Sequence, residues 1–211
     1  MFANILAVIG SVLGIVALAV ALFAAYRILA PRHTPAIREK KSIAELIAIP
    51  VNGIRQWLLI HGVDKNKPVL LFLHGGPGSA HIAVMRNYQK ELEKHFVVVQ
   101  WDQRGAGLSG MEPVPDETYT KEQFIADGLE VTLYLRERFK QDKIFLVGHS
   151  WGSGLGYMMS IRKPEYFRAF AGLGQMSKDG EKLSYEETFK VAREANNQEA
   201  VKELLELGAP P

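Results

Sequence analysis

The 211-residue chain contains no cysteine. Disulfide frameworks and thiolate metal sites are therefore excluded, and the redox compartment cannot be read from cysteine usage. A dominant charge is missing too: 25 Lys and Arg stand against 23 Asp and Glu. The resulting net charge of +2 gives no electrostatic case for a nucleic-acid partner. The six histidines (His33, His61, His74, His81, His95 and His149) include no pair at metal-ligand spacing on one helix face. Neither a metal nor another cofactor is expected. Two local absences matter more. No charged residue occurs from Ile5 to Tyr26, and no histidine occurs after His149.

The first absence points to a membrane. ILAVIGSVLGIVALAVALFAAY supplies roughly the twenty apolar residues that a helix needs to cross a bilayer core. The preceding MFAN carries none of the basic residues of a secretory signal, whereas Arg27, Arg32, Arg38, Lys40 and Lys41 all follow the apolar run. The positive-inside rule then leaves the N-terminus outside and the remaining chain cytoplasmic. A single-pass anchor over residues 1–28 is expected, with a cleaved signal and a secreted domain as the alternative. Gly10 and Gly14 form a GxxxG, a spacing that a Gly- and Ala-rich segment also produces by chance. Residues 29–42, LAPRHTPAIREKKS, read as a polar juxtamembrane linker.

Beyond the linker, IAELIAIP (Ile43–Pro50) and IRQWLLIHG (Ile54–Gly62) flank Val51-Asn52-Gly53. Asn-Gly favours a tight turn with φ > 0, so a β-hairpin is expected. A turn at DKNKP leads to VLLFLH (Val69–His74), apolar on both faces and so a buried strand. The pattern then alternates. Helical spacing over Ala80–Lys94 precedes the strand FVVVQWD (Phe96–Asp102). An amphipathic helix over Glu122–Lys140 carries Phe124, Val131, Leu135 and Phe139 on one stripe. KIFLVG, Trp151–Arg162 and FRAFAGLG give strand, helix and strand. Such alternation argues an α/β fold, a mostly parallel sheet with helices on both faces. From Gln175 to Pro211 the chain turns polar and helical.

Three motifs follow three of these strands, where open parallel sheets place their sites. GHSWG sets Ser150 in a G-x-S-x-G between strand and helix, the arrangement that exposes a nucleophilic hydroxyl on a sharp turn. HGGPG (His74–Gly78) can bring backbone N–H groups close to a substrate, or can be a plain Gly-Pro turn. Trp151 N–H and a donor from this loop are the candidate oxyanion hole. His74 and His149 read as structural residues, and His81 as a residue lining the pocket. In DQRGAGLS (Asp102–Ser109), Asp102 and Arg104 are expected to pair internally and brace the site loops, with a solvated turn as the alternative. Asp102 precedes the nucleophile, whereas the triad order in this architecture is serine, acid, histidine. It is therefore not taken as the triad acid.

HGGPG, DQRGAGLS and GHSWGS in this order and spacing resemble the proline iminopeptidase branch of the α/β-hydrolase superfamily, over roughly Ile43–Pro211. The resemblance implies an α/β-hydrolase fold with Ser150 as nucleophile and Gly76 and Trp151 as backbone oxyanion donors. It also implies core residues 43–174, followed by the start of a helical cap over 175–211. The substrate implied is a peptide or small acyl compound. Cap and pocket carboxylates in that family help bind a free amino group. Glu186 and Glu187 are candidates by location alone, with solvated helix carboxylates as the plainer reading. Asp179 lies where some relatives place the acid. The triad histidine has no candidate in this chain, so the fold is expected to be incomplete and the base to lie beyond residue 211. An esterase, lipase or epoxide-type hydrolase is the rival within the superfamily. A non-catalytic hydrolase-fold binding module at the membrane is the rival outside enzymes.

Overall fold

The computed structural model describes residues 2–29, 34–177 and 179–210, so residues 30–33 of the expected linker and residues 178 and 211 of the expected cap segment lie outside the described residues. The chain divides into two compact units, Met1–Thr34 and Pro35–Pro211.

The first unit is one helix, α1 (Phe2–Leu29), of 28 residues. Its Ala- and Leu-rich sequence favours helix throughout. Val12, Leu13, Val16, Leu18 and Phe23 are all exposed. The backbone helix is longer than the stretch with described side chains, which runs only from Gly10 to Tyr26. Among the described residues no helix is long and apolar enough to cross a membrane. The expected span is therefore not supported by the described residues, which contribute a helix whose apolar side chains from Val12 to Tyr26 are exposed.

The second unit opens with strands β1 (Ile43–Val51) and β2 (Ile54–Gly62), antiparallel in register from Ile43↔Gly62 to Val51↔Ile54. Val51 completes the strand rather than joining the turn. The turn is Asn52-Gly53 with φ 42° and 83°, the doubly left-handed form whose twist suits a two-residue hairpin. Strands β3 (Val69–Leu73), β4 (Val97–Asp102), β5 (Ile144–His149) and β6 (Phe167–Leu173) complete a six-stranded sheet of order β1-β2-β4-β3-β5-β6. Pairing is antiparallel across β1–β2 and β2–β4 and parallel from β4 to β6.

Period-two alternation divides the core between the two faces. Val69, Leu71, Leu73, Val97, Val99 and Trp101 face one side, packed with residues of α4 (Lys121–Phe139) and α5 (Trp151–Arg162). Leu70, Phe72 and Val98 face the other, where Met85 of α2 (Ile82–Tyr88) joins them. The side chain of Thr120 caps α4 by accepting from Gln123 N–H at 3.2 Å. Lys140 ends it in the left-handed region at φ 51°.

The single helix expected over Ala80–Lys94 is instead two, α2 and α3 (Lys90–Glu93), divided at Gln89. Gln89 is wholly buried; its amide donates to Glu93 Oε1 at 2.9 Å, and its carbonyl oxygen accepts from Gln100 on β4 at 3.1 Å. The cap segment forms α6 (Gly180–Glu194) and α7 (Gln198–Leu207), joined where Tyr185 Oη donates to Leu204 O at 2.8 Å. Strand β6 is an edge, and from Arg168 to Leu173 only Phe170 is partly covered.

Candidate active site

Ser150 sits between β5 and α5 with φ 52° and ψ −120°. A non-glycine residue in that region is strained, and such strain survives only where the surroundings enforce it. Two glycines supply the enforcement. A Cβ at Gly148 would overlap the Gly152 carbonyl, and one at Gly152 would overlap the Leu73 carbonyl at the end of β3. The start of α5 thus lies directly on two strand ends, at a distance only glycine permits. Ser150 N–H donates to Leu173 O at 2.8 Å, and Ser153 Oγ donates to Ser150 O at 2.6 Å. Both bonds fix the backbone of the turn and leave the Ser150 side chain half-exposed above the C-terminal edge of the sheet.

The HGGPG loop packs against this turn. The site where a Gly75 Cβ would stand lies 3.0 Å from His149 Nδ1 and 3.2 Å from Ser150 Cβ. Gly76 is left-handed at φ 58°. Among the described residues, neither Gly76 N–H nor Trp151 N–H donates to another backbone carbonyl. Two backbone donors beside a half-exposed hydroxyl, one of them at a helix N-terminus, suit an oxygen that gains negative charge.

His74 is buried, accepts from Gln103 N–H on Nε2 at 3.1 Å and contacts Gly75 O through Nδ1 at 2.9 Å. With Nε2 accepting, the proton sits on Nδ1. Burial pulls the imidazole down to about 4, partly opposed by the bond to Gly75 O. His74 is therefore a neutral brace near neutral pH. Gln103 extends that brace: its amide donates to His74 O at 3.0 Å, and its oxygen accepts from Trp151 Nε1 at 3.1 Å. The rings of His74 and His149 each lie 5.8 Å from His81. His81 is held below its ordinary value, first by burial and then by His149. Among the described residues no group of three or more His, Cys, Asp or Glu is placed to hold a metal ion.

The expected Asp102–Arg104 pair does not form. Arg104 is paired with Asp127 of α4, Nε to Oδ2 at 2.8 Å and Nη2 to Oδ1 at 3.0 Å, with both side chains almost wholly buried. Asn52, Gln56 and Gln123 also donate to that carboxylate, at 2.7–2.8 Å. Five donors thus compensate one buried charge. Asp102 stands apart. Its Oδ2 accepts from Leu108 N–H at 2.9 Å, and its Oδ1 has no hydrogen-bond partner. Burial pushes its carboxyl up to about 6, partly opposed by the Leu108 N–H.

Residues 68–200 match the family model described as the alpha/beta hydrolase fold. The chain belongs to the α/β-hydrolase family. Among curated relatives, "Probable aminopeptidase YbaC" of Bacillus subtilis is 40% identical over 178 residues, 83% of this chain and 56% of that protein. A proline iminopeptidase of Lactobacillus crispatus is 35% identical over 112 residues, 51% of this chain and 35% of the relative. The chain therefore spans about a third to a little over half of the length of these relatives. Among solved structures, a proline iminopeptidase-related protein of Thermus thermophilus superposes with a TM-score of 0.58 at 26% identity, covering 76% of this chain and 56% of its own. Epoxide hydrolase A of Mycobacterium thermoresistibile gives 0.52 at 25% identity, covering 62% and 39%.

The remaining acidic candidates, in the segment after the core, lie at the surface. Glu186 and Glu187 are exposed on α6, and Glu187 pairs with Lys190 at 3.2 Å, one turn along the same helix. Asp179 is exposed at the N-cap of α6, and its side chain makes no capping bond. Among the described residues, no contact joins these three carboxylates to Ser150. Sequence reasoning missed Gln103 and Asp127. The position of Asp127 within the apolar stripe of α4, between Phe124 and Val131, was the available signal, since a carboxylate there needs a buried cation. For Gln103 there was none: a glutamine beside a strand end reads as surface.

Proposed function

We propose that the chain carries the nucleophile and oxyanion hole of a serine hydrolase acting as an aminopeptidase, releasing N-terminal proline or a similar residue from peptides. Ser150 Oγ attacks the carbonyl of the N-terminal residue. The oxygen of the tetrahedral adduct takes hydrogen bonds from Gly76 and Trp151 N–H. A histidine beyond residue 211, held by an acid that also lies there or by Asp179, takes the serine proton and delivers it to the leaving amine. Water then hydrolyses the acyl-enzyme with the same histidine as base.

The observation that carries this reading is the strained Ser150 at φ 52°, locked by Gly148 and Gly152. The relatives named aminopeptidase and proline iminopeptidase favour a peptide substrate. The epoxide-hydrolase likeness is a reason to keep esters and epoxides in the substrate panel. Anchoring by residues 1–28, with the hydrolase unit on the cytoplasmic side, remains part of the proposal. It rests on the apolar run followed by basic residues. Carbonate extraction of membranes from expressing cells tests it: the chain should stay in the pellet, and a version starting at Pro35 should be released.

Because the base is missing, the 211-residue chain alone should hydrolyse neither prolyl p-nitroanilide nor p-nitrophenyl esters above background. Turnover by this chain that disappears with Ser150→Ala would overturn the assignment of the base to residues further on.

A further inference from the structure

A cavity of about 310 Å³ opens between the HGGPG loop and the start of α4, lined by Pro77, Tyr119, Lys121, Phe124 and Trp151 among others. Ser150 is not among its walls. The cavity meets the serine through Trp151, the next residue, and through the loop that packs on Ser150 Cβ.

The walls have a defined chemistry. Phe124 stands edge-on to Trp151, with ring centroids 5.6 Å apart at 80°. The Trp151 indole N–H donates to Gln103 Oε1 at 3.1 Å, which orients the ring against the cavity. Tyr119, also in the lining, packs its ring on Gly105, where any Cβ would overlap it. Of the two cations in the lining, Arg104 is consumed by Asp127. Lys121 is exposed, and among the described residues it forms no ion pair. Glu122, Asp116 and Glu117 are close in sequence, but none of them lines the cavity. An aromatic slot with one uncommitted ammonium at its rim selects an apolar group that carries an anion a few bonds away. A volume near 310 Å³ is at the small end for ligand sites and suits one large side chain.

Resting on the hydrolase reading above, the geometry points to this cavity as the leaving-group subsite. It would hold the apolar or aromatic side chain of the second residue of a dipeptide-like substrate, with the free α-carboxylate on Lys121. The enzyme would accordingly favour short peptides ending in an apolar residue over longer or amidated ones.

Binding to the full 211-residue chain tests this without turnover, so the result does not depend on Ser150 chemistry. The probes are 3-phenylpropanoate and its uncharged analogue 3-phenylpropanamide, followed by calorimetry and by the indole N–H resonance of Trp151, assigned with Trp151→Phe. The acid should bind about fivefold more tightly than the amide at low salt, the scale of one exposed ion pair. Lys121→Gln should reduce the acid to the level of the amide. Tyr119→Ala should weaken both probes, and the Trp151 resonance should shift with both. Equal binding of acid and amide, no binding of either, an unchanged preference in Lys121→Gln, or shifts confined to Trp57 and Trp101 would each overturn the inference. A failure here leaves Ser150-dependent hydrolysis untouched, whereas loss of that hydrolysis reading would appear only in turnover.

Discussion

The two edges of the sheet are opposite in character. On the β1 side the buried Arg104–Asp127 pair is fully compensated. Asp127 gathers donors from the hairpin turn, β2, the end of β4 and α4, and Glu45 of β1 pairs with Arg138 of α4. On the β6 side, Leu173 is 50% exposed, and Tyr157 and Ile161 on the adjacent α5 are 55% and 61% exposed. Ser150 lies between them. Its backbone turn is fixed by Gly148, Gly152 and the bond from Ser150 N–H to Leu173 O, and it adjoins the less covered side.

The largest break in that contrast should come from Asp127→Ala. It leaves the Arg104 guanidinium buried and unpaired, a loss of about 3–5 kcal/mol. Urea unfolding should show the midpoint falling accordingly, with the braced side as loose as the open one.

Next comes a pH effect that isolates the one carboxylate the brace does not satisfy. Asp102, raised to about 6 from 3.8, binds more protons folded than unfolded, so its contribution is full below about pH 3.8 and is lost as pH rises through 6. His74, lowered to about 4 from 6.5, does the reverse: its contribution is present above pH 6.5 and is lost as pH falls toward 4. The two oppose each other between pH 4 and 6 and flatten the profile there. Asp102→Asn removes one of them. Stability should then fall more steeply on acidification across that window, by roughly 2–3 kcal/mol. A mutant profile parallel to the wild type would contradict the opposition.

Gly152→Ala should cost about 2 kcal/mol in the same urea assay, because its Cβ meets the Leu73 carbonyl rather than a movable side chain. At the open edge, Leu173→Lys should change stability by no more than about 0.5 kcal/mol, since the side chain is already half in water. A large loss there would mean that the β6 edge is covered in solution.

Most of the architecture was legible because it depends on local patterns. The Asn52-Gly53 turn, the apolar run of β3 and the G-x-S-x-G after β5 each dictate their own geometry. What escaped depends on long-range partners. Arg104 sits two residues from Asp102 in sequence but turns to Asp127, on a helix that the intervening loop brings over it. The break at Gln89 coincides with a hydrogen bond from Gln100 on β4, which helical periodicity cannot register. Trp151 was read for its N–H alone. Its indole as a wall of the cavity appears only once Tyr119, Phe124 and the HGGPG loop are brought around it.

The central claim is that Ser150 is a prepared nucleophile lacking only its base. Its most direct test is a fusion in which this chain is continued by the C-terminal part of the Bacillus relative, assayed on prolyl p-nitroanilide beside the parent enzyme. A fusion that unfolds cooperatively should turn over substrate and lose all turnover with Ser150→Ala, while the 211-residue chain stays at background. A cooperatively folded fusion that is inactive beside an active parent, or one whose activity survives Ser150→Ala, would contradict it.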